Sequence, residues 1–345
     1  MSYRELVRSS GPLFLALGVM ARLPYAMLPL ATLLWLRAGG VGFTQAGEIA
    51  AAQSVAIAAG GLIVGRMADR HGPRRVGVVT ALLNATAVGV MLGTSPHDWA
   101  AWPMTALVGL TQPQVGPLVR VHWTLRRPDL LPVALSFEAA ADELSFILGP
   151  ILAGLPVMLM LLVGAAFPFA LRYDAGRPAG QAAGAVRWLP IAALVVAMAS
   201  VGAIFGAVQT GGTAHGSAGP LYALLGVGSG IGGLISGWIS LPRRVSGAVL
   251  MVGMTVVAAG AYGVVPLPAA MILGGATIAP YMVKLFLAAE RFAAGRVGTV
   301  IAVLSAGGPV GTAVGQGIAG RLTDQFGAAG AFSVVPVAAL ICVLI

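Results

Sequence analysis

Charge is what this sequence lacks most: charged residues make up 9% of its 345 positions, hydrophobic residues 58%, and the mean hydropathy is +0.92. A soluble domain carries about 25% charged residues to cover its surface, so a water-soluble globular fold is excluded. Cysteine is nearly absent, Cys342 being the single one. That excludes a disulfide within the chain and any multi-cysteine metal site, and leaves Cys342 as a small apolar residue of the last helix. Of the 20 basic residues only Lys284 is a lysine. The net charge of +9 is spread singly and in pairs between apolar segments, which fits anchoring to an anionic leaflet and not a nucleic-acid patch. The four histidines, His71, His97, His122 and His215, are scattered. No H-E-x-x-H zinc motif occurs, and nothing assembles a nucleophile, base and oxyanion site. A polytopic membrane enzyme is therefore a minor alternative, and no metal or cofactor is expected. The apolar segment after Ser10 is too long for the core of a cleavable signal.

What is present is a succession of continuous apolar stretches. Transmembrane β-strands alternate polar and apolar residues, so these stretches predict helices. The length accommodates twelve helices of about 20 residues, enough to cross a bilayer core. Their expected positions are 11–36, 44–64, 76–94, 100–123, 132–151, 155–171, 188–210, 219–240, 246–265, 267–289, 298–318 and 328–345. With a cytoplasmic N-terminus, the inner segments hold Arg4, Arg8, Arg66, Arg70, Arg74, Arg75, Arg126, Arg127, Arg172, Arg177, Arg187, Arg243, Arg244, Arg291 and Arg296. The outer loops hold only Arg37 and Arg321. Such a positive-inside bias puts both termini in the cytoplasm. The expected fold class is an all-α polytopic membrane protein with two pseudo-symmetric six-helix bundles, 1–171 and 188–345, joined by a cytoplasmic linker at 172–187.

Internal echoes support the two halves. Span two ends Gly60-Gly61-Leu62-Ile63-Val64-Gly65 and span eight ends Gly232-Gly233-Leu234-Ile235-Ser236-Gly237, with Arg74-Arg75 and Arg243-Arg244 following. Gly149-Pro150 of span five matches Gly308-Pro309 of span eleven. Partners six spans apart fit parallel repeats about an axis along the membrane normal.

The segment Gly65-Arg66-Met67-Ala68-Asp69-Arg70-His71-Gly72-Pro73-Arg74-Arg75 resembles, position for position, the signature G-x-x-x-D-R-x-G-x-R-R of the major facilitator superfamily of secondary transporters. Gly65 permits close helix approach, Asp69 can cap a helix or pair with an arginine, and Gly72 allows a tight turn. The resemblance implies a conformational latch of Gly65, Asp69, Arg70, Gly72 and Arg74. The loop after span eight, Ser240-Leu241-Pro242-Arg243-Arg244, keeps the bases and loses the acid. Span five partly resembles the family's antiporter signature: Gly149, Pro150 and Gly154 match, while Ser136, Ser145 and Ala153 replace other glycines. Segments such as Arg22-Leu23-Pro24-Tyr25 and Glu138-Ala139-Ala140-Ala141-Asp142-Glu143 are similar to those of actinobacterial drug and metabolite exporters.

Ionisable groups within spans are costly and require a partner or a watery cavity. Glu138, Asp142, Ser145 and Gly149 share one helical stripe, with Asp142 about 15 Å into the span. Arg22 is expected to meet Asp142 or Glu143, and Arg120 to meet Glu138. These five are the proton-coupling candidates, against a static pairing that only fixes helix register. Lys284 is expected to snorkel, and Glu48 to reach the interface. Candidates for a substrate cavity between the halves are Tyr25, Met27, Gln112, Gln114, Gln209 and Tyr281, from spans that line it throughout the family. The expected function is proton-coupled export of small amphipathic compounds by a monomer in the bacterial plasma membrane, with lipids and a small-molecule substrate as partners. Uptake or facilitated diffusion of a neutral solute such as a sugar, or lipid movement, is the alternative.

Overall fold

The computed structural model describes residues 3–116, 186–236, 241–292 and 297–345, together with Val119, Ala134, Phe137, Ala141, Asp142, Leu144, Ser145 and 147–149. Regular structure among them is helical: α1 Tyr3–Ser10, α2 Pro12–Met20, α3 Leu23–Ala38, α4 Phe43–His71, α5 Pro73–Leu92, α6 Ala101–Thr111, α7 Trp188–Ala214, α8 Ala218–Ser236, α9 Arg243–Ala261, α10 Leu267–Gly275, α11 Ile278–Phe292, α12 Val297–Phe332 and α13 Val334–Leu344. Eight segments of this set are long and apolar enough to cross a membrane. They coincide with expected spans one to three and seven to eleven. Span four is represented by α6, span five by the helical residues between 141 and 149, and span twelve by α13. The sixth span, 155–171, lies outside the described residues, as do Arg120, Glu138 and Glu143.

Prolines set the interruptions. Pro24 has no N–H for the Met20 carbonyl, and the helix breaks at Ala21–Arg22. Pro280 does the same to Ala276, dividing α10 from α11. Gln112, with φ −56° and ψ 120°, leaves the helix because it precedes Pro113. Span eleven runs further than expected: α12 passes residue 318 and stays helical until Gly327, whose φ of 68° and ψ of −164° break the path. Pro309 sits inside this helix without ending it, and no positive-φ glycine precedes Gly327 in it.

Glycines bring the helices together. On α12, Gly307, Gly311 and Gly315 recur every fourth residue, and a Cβ on any of them would collide with the carbonyl of Val195, Ala199 or Ala203 on α7. Small residues at this spacing let backbones touch, which is how helices associate without a hydrophobic driving force. The contacts repeat across the chain. Gly149 packs on Ala26 and Met27 of span one, as α12 packs on α7; Gly60 meets Leu110 of α6, as Gly232 meets Ala276 beside α10. The sequence echoes thus fall on equivalent helix contacts in the two halves. Each half has its own apolar core. In the second, Leu194, Ile204, Leu250, Met254, Tyr281 and Phe332 are buried together; in the first, Leu15, Tyr25, Leu28, Val88 and Val108. Large apolar side chains such as Leu82, Leu83, Leu189, Leu234 and Val252 point outward, a surface suited to lipid.

Candidate functional site

The best-defined charge site lies where span one breaks. Arg22, 5% exposed, donates from Nε to Asp142 Oδ1 at 2.8 Å and from Nη1 to the Gly18 carbonyl at 2.7 Å. The second bond holds the guanidinium along its own helix, so it presents a fixed donor to the carboxylate. Asp142 is 31% exposed, less deeply buried than Arg22. Contacts around the pair are small: Gly116 stands 3.7 Å from Asp142 Oδ1 by its Cβ position, and Gly149 lies against Ala26 and Met27. Ser145 returns its hydroxyl to the Ala141 carbonyl at 2.7 Å and does not join the pair. The pairing of Arg120 with Glu138 lies outside the described residues.

Next to this pair, span four is unwound. After Thr111 the chain runs non-helically through Gln112, Pro113 and Gln114 before resuming. Irregular backbone at membrane depth persists only where protein buries it or water lines it. Here Asn84 of α5, fully buried, donates Nδ2 to the Val108 carbonyl at 2.7 Å and to Thr111 Oγ1 at 3.2 Å. It supplies the hydrogen bond that the broken helix withholds. Gln114 lies over Gly61 of α4, and its Nε2 reaches the Gln112 carbonyl at 3.4 Å. Asn84 Oδ1, Gln112 Oε1, both amide atoms of Gln53 and the Tyr25 hydroxyl are buried with no hydrogen-bond partner among the described residues. Gln53 belongs to the same neighbourhood, since its main chain touches Gly109. Buried polar groups of this kind are normally satisfied by partners or ordered water, so this region is the polar part of the first half.

The halves meet where α4 lies against α12. Ser54 Oγ donates to Gln316 Oε1 at 3.0 Å, and Gln316 Nε2 donates to Gln209 Oε1 at 3.0 Å. All three side chains are buried, so a continuous hydrogen-bonded chain runs from α4 through α12 to α7. Gln209 was an expected cavity residue; Ser54, Gln316, Asn84 and Gln53 were not. Their signal in sequence is their type, amides and a hydroxyl inside apolar spans. Met27 is fully buried with Leu30 against Ala218 of the other half, sealing the seam. Tyr281 departs from its expected cavity position: it is fully buried in the second core, and its hydroxyl donates to the Cys342 carbonyl at 2.9 Å. A long side chain whose hydroxyl finds a carbonyl across two helices is held in place by both packing and the bond.

In the signature loop, Gly72 adopts φ 86°, the left-handed region that favours glycine, and Pro73 opens α5 directly after it. The turn is therefore a single residue. Arg66, Arg74 and Arg75 are exposed, and a Cβ on Gly65 would meet nothing within 4 Å. Asp69 and Arg70 belong to the last turns of α4, and their side chains lie outside the described residues.

No protein-family model matches the sequence, and no curated protein does. Solved structures do. The human organic anion transporter MFSD10 (TETRAN) superposes with a TM-score of 0.64 at 16% identity, over 96% of this chain and 97% of that one. The peptide transporter POT in complex with sulfate gives a TM-score of 0.73 at 14% identity, over 96% and 92%. A bacterial homologue of the iron transporter ferroportin, in an inward-facing state, gives 0.68 at 15% identity, over 96% and 97%. At such identities the likeness carries the fold. The chain shares the fold of these transporters, and its eight long apolar helices make it a multi-pass membrane protein. The structures it resembles are transporters and not enzymes.

Proposed function

We propose that this protein is a secondary active transporter of the bacterial cytoplasmic membrane that exports small amphipathic compounds in exchange for protons. The observation that carries the reading is the Arg22–Asp142 pair at 2.8 Å in the first half, with Arg22 buried. An ion pair within a membrane span is costly, and one that opens and closes with conformation can take up and release a proton. The unwound Gln112–Gln114 segment, with amide oxygens nearby that have no partner among the described residues, supplies polar contacts beside that pair. The proton gradient provides the energy, and no cofactor is required. Among the described residues the buried side chains that bridge the seam are Ser54, Gln209 and Gln316, uncharged groups that suit amphipathic or neutral compounds better than phosphorylated ones. Twelve helices in two six-helix bundles, both termini in the cytoplasm, and a cytoplasmic latch of Gly65, Asp69, Arg70, Gly72 and Arg74 complete the proposal. Thermal stabilisation of the purified protein by a panel of amphipathic dyes and drugs tests the binding part. A ligand at 100 times its Kd stabilises the folded state by about 2.7 kcal/mol. Absence of stabilisation by any compound, with stabilisation by a sugar instead, would replace export with movement of a neutral solute.

A further inference from the structure

Helix α4 begins without a cap of its own. Its N-cap position is Gly42, which has no side chain to accept a hydrogen bond from the first turn. The exposed donors at a helix start normally find a side-chain oxygen there. Here the oxygen comes from the other half of the protein: Phe43 N donates to Asp324 Oδ1 at 3.1 Å, and Thr44 N to Asp324 Oδ2 at 2.7 Å. A carboxylate at a helix N-terminus is also favoured by the helix dipole. One turn away, Arg321 Nη2 meets Glu48 Oε1 at 2.9 Å, again across the halves. The backbones between these contacts touch. A Cβ on Gly47 would lie 2.5 Å from the Gln316 carbonyl oxygen, and one on Gly320 2.5 Å from that of Phe43. Phe43 is fixed in turn by the Arg37 guanidinium, 3.7 Å over its ring.

The sequence around Asp324 has a counterpart. Gly320-Arg321-Leu322-Thr323-Asp324-Gln325-Phe326-Gly327 repeats the pattern G-R-x-x-D-x-x-G of Gly65–Gly72, and the last glycine of each has positive φ, 68° and 86°. The two copies lie at opposite ends of the bundle. At the arginine-rich end, a Cβ on Gly65 would meet open space, and one on Gly61 has Gln114 of its own half as its nearest neighbour. The halves are thus joined at the Asp324 end.

We infer that Asp324 and the uncapped start of α4 form a second latch, at the end opposite the signature loop, which holds the protein closed there and must release for that end to open. The inference rests on the alternating-access reading. Opening strips the Phe43 and Thr44 amides of their acceptor and separates Arg321 from Glu48, so the closed state is favoured by the cap. Two substitutions test this from opposite sides. Asp324→Ala removes the cap, and Gly42→Ser gives α4 a cap of its own while leaving Asp324 intact. Gly42 tolerates a side chain, with φ −58° and ψ 156° and only Asp324 Oδ2 at 3.8 Å from its Cβ position.

The measurement is the distance distribution between spin labels at Gln45 and Gln325, and separately at Arg75 and Arg244, in a Cys342→Ala background in lipid nanodiscs. Both variants are expected to enlarge the long-distance population at the first pair at least about fivefold, the lower end of ordinary coupling between sites, with reciprocal shortening at the second. Two populations left untouched by either variant overturn the latch alone. A single fixed distance at both ends in every protein overturns the latch together with the transport reading beneath it. Should Asp324→Ala fail to fold, Gly42→Ser decides the question by itself.

Discussion

Replacing Gln316 by leucine strikes the hydrogen-bonded chain that ties α4, α12 and α7. Gln316 is fully buried, accepts from Ser54 and donates to Gln209, each at 3.0 Å. Leucine has similar bulk, so the change is chiefly the loss of two bonds. Ser54 can recover, because a helical hydroxyl readily bonds a carbonyl four residues back, as Thr80 does here to Val76 at 2.8 Å. The Gln209 amide oxygen has no such escape. Leaving one buried group unpaired costs about 1–3 kcal/mol, while hydrogen bonds between membrane helices average about 0.6 kcal/mol. The expected loss for Gln316→Leu is therefore about 1–2 kcal/mol, or a fall in Tm of roughly 2–8 °C at the scale of larger domains. The triple variant Ser54→Ala, Gln209→Leu, Gln316→Leu removes all partners together and should recover most of that loss, since apolar replacement of both partners is nearly neutral. The protein carries its own reporter. Cys342 is the sole cysteine and is 1% exposed, so a thiol-reactive fluorophore labels it only on unfolding. A triple variant less stable than the single one would refute the reasoning, as would a single variant as stable as the parent.

Two further outcomes follow from the same geometry. Asn84→Ala takes the donor from the Val108 carbonyl at the end of α6 and should destabilise by about 1–3 kcal/mol; the Cys342 thermal assay checks it, and an unchanged midpoint would mean that water replaces the amide without loss. A cysteine at Arg75, in a Cys342→Ala background, should resist membrane-impermeant reagents applied to intact cells, and ready labelling from outside would reverse the proposed orientation.

How much of this was legible in sequence depended on the kind of information involved. The Arg22–Asp142 pair could be anticipated because two rare charges lay at similar depth in expected spans one and five, and ionisable groups within spans need a partner. The breaks beside Pro24, Pro113 and Pro280 interrupt expected spans one, four and ten, whereas Pro29 and Pro309 sit inside continuous helices, so proline alone did not mark where a helix would break. Expected span eleven ended too early because hydropathy falls at Gly320-Arg321, although the helix continues there to lean on α4. Tyr281 was misplaced for the opposite reason. Its type suggested a ligand contact, but only the three-dimensional proximity of α13 reveals a carbonyl for its hydroxyl. Asn84, Gln53 and Gln316 looked like scattered amides in apolar helices until the fold set them beside a broken helix or a helix seam. The cap of α4 by Asp324 spans 280 residues of sequence, and only the repeated G-R-x-x-D-x-x-G pattern hinted at it.

The central claim, that Asp142 carries the coupling proton, is tested most directly in proteoliposomes loaded with a pH-sensitive dye. The probes are the amphipathic compounds that stabilise the protein, added under an imposed proton gradient. The parent protein should move protons in step with compound. Asp142→Asn keeps a hydrogen-bond acceptor for Arg22 and nearly the same shape, so it should still be stabilised by the compounds while coupled proton flux disappears. Removing the charge weakens the contact of Asp142 with Arg22, so stability is measured on the same preparation. Coupled proton flux undiminished in a folded Asp142→Asn protein would contradict the account.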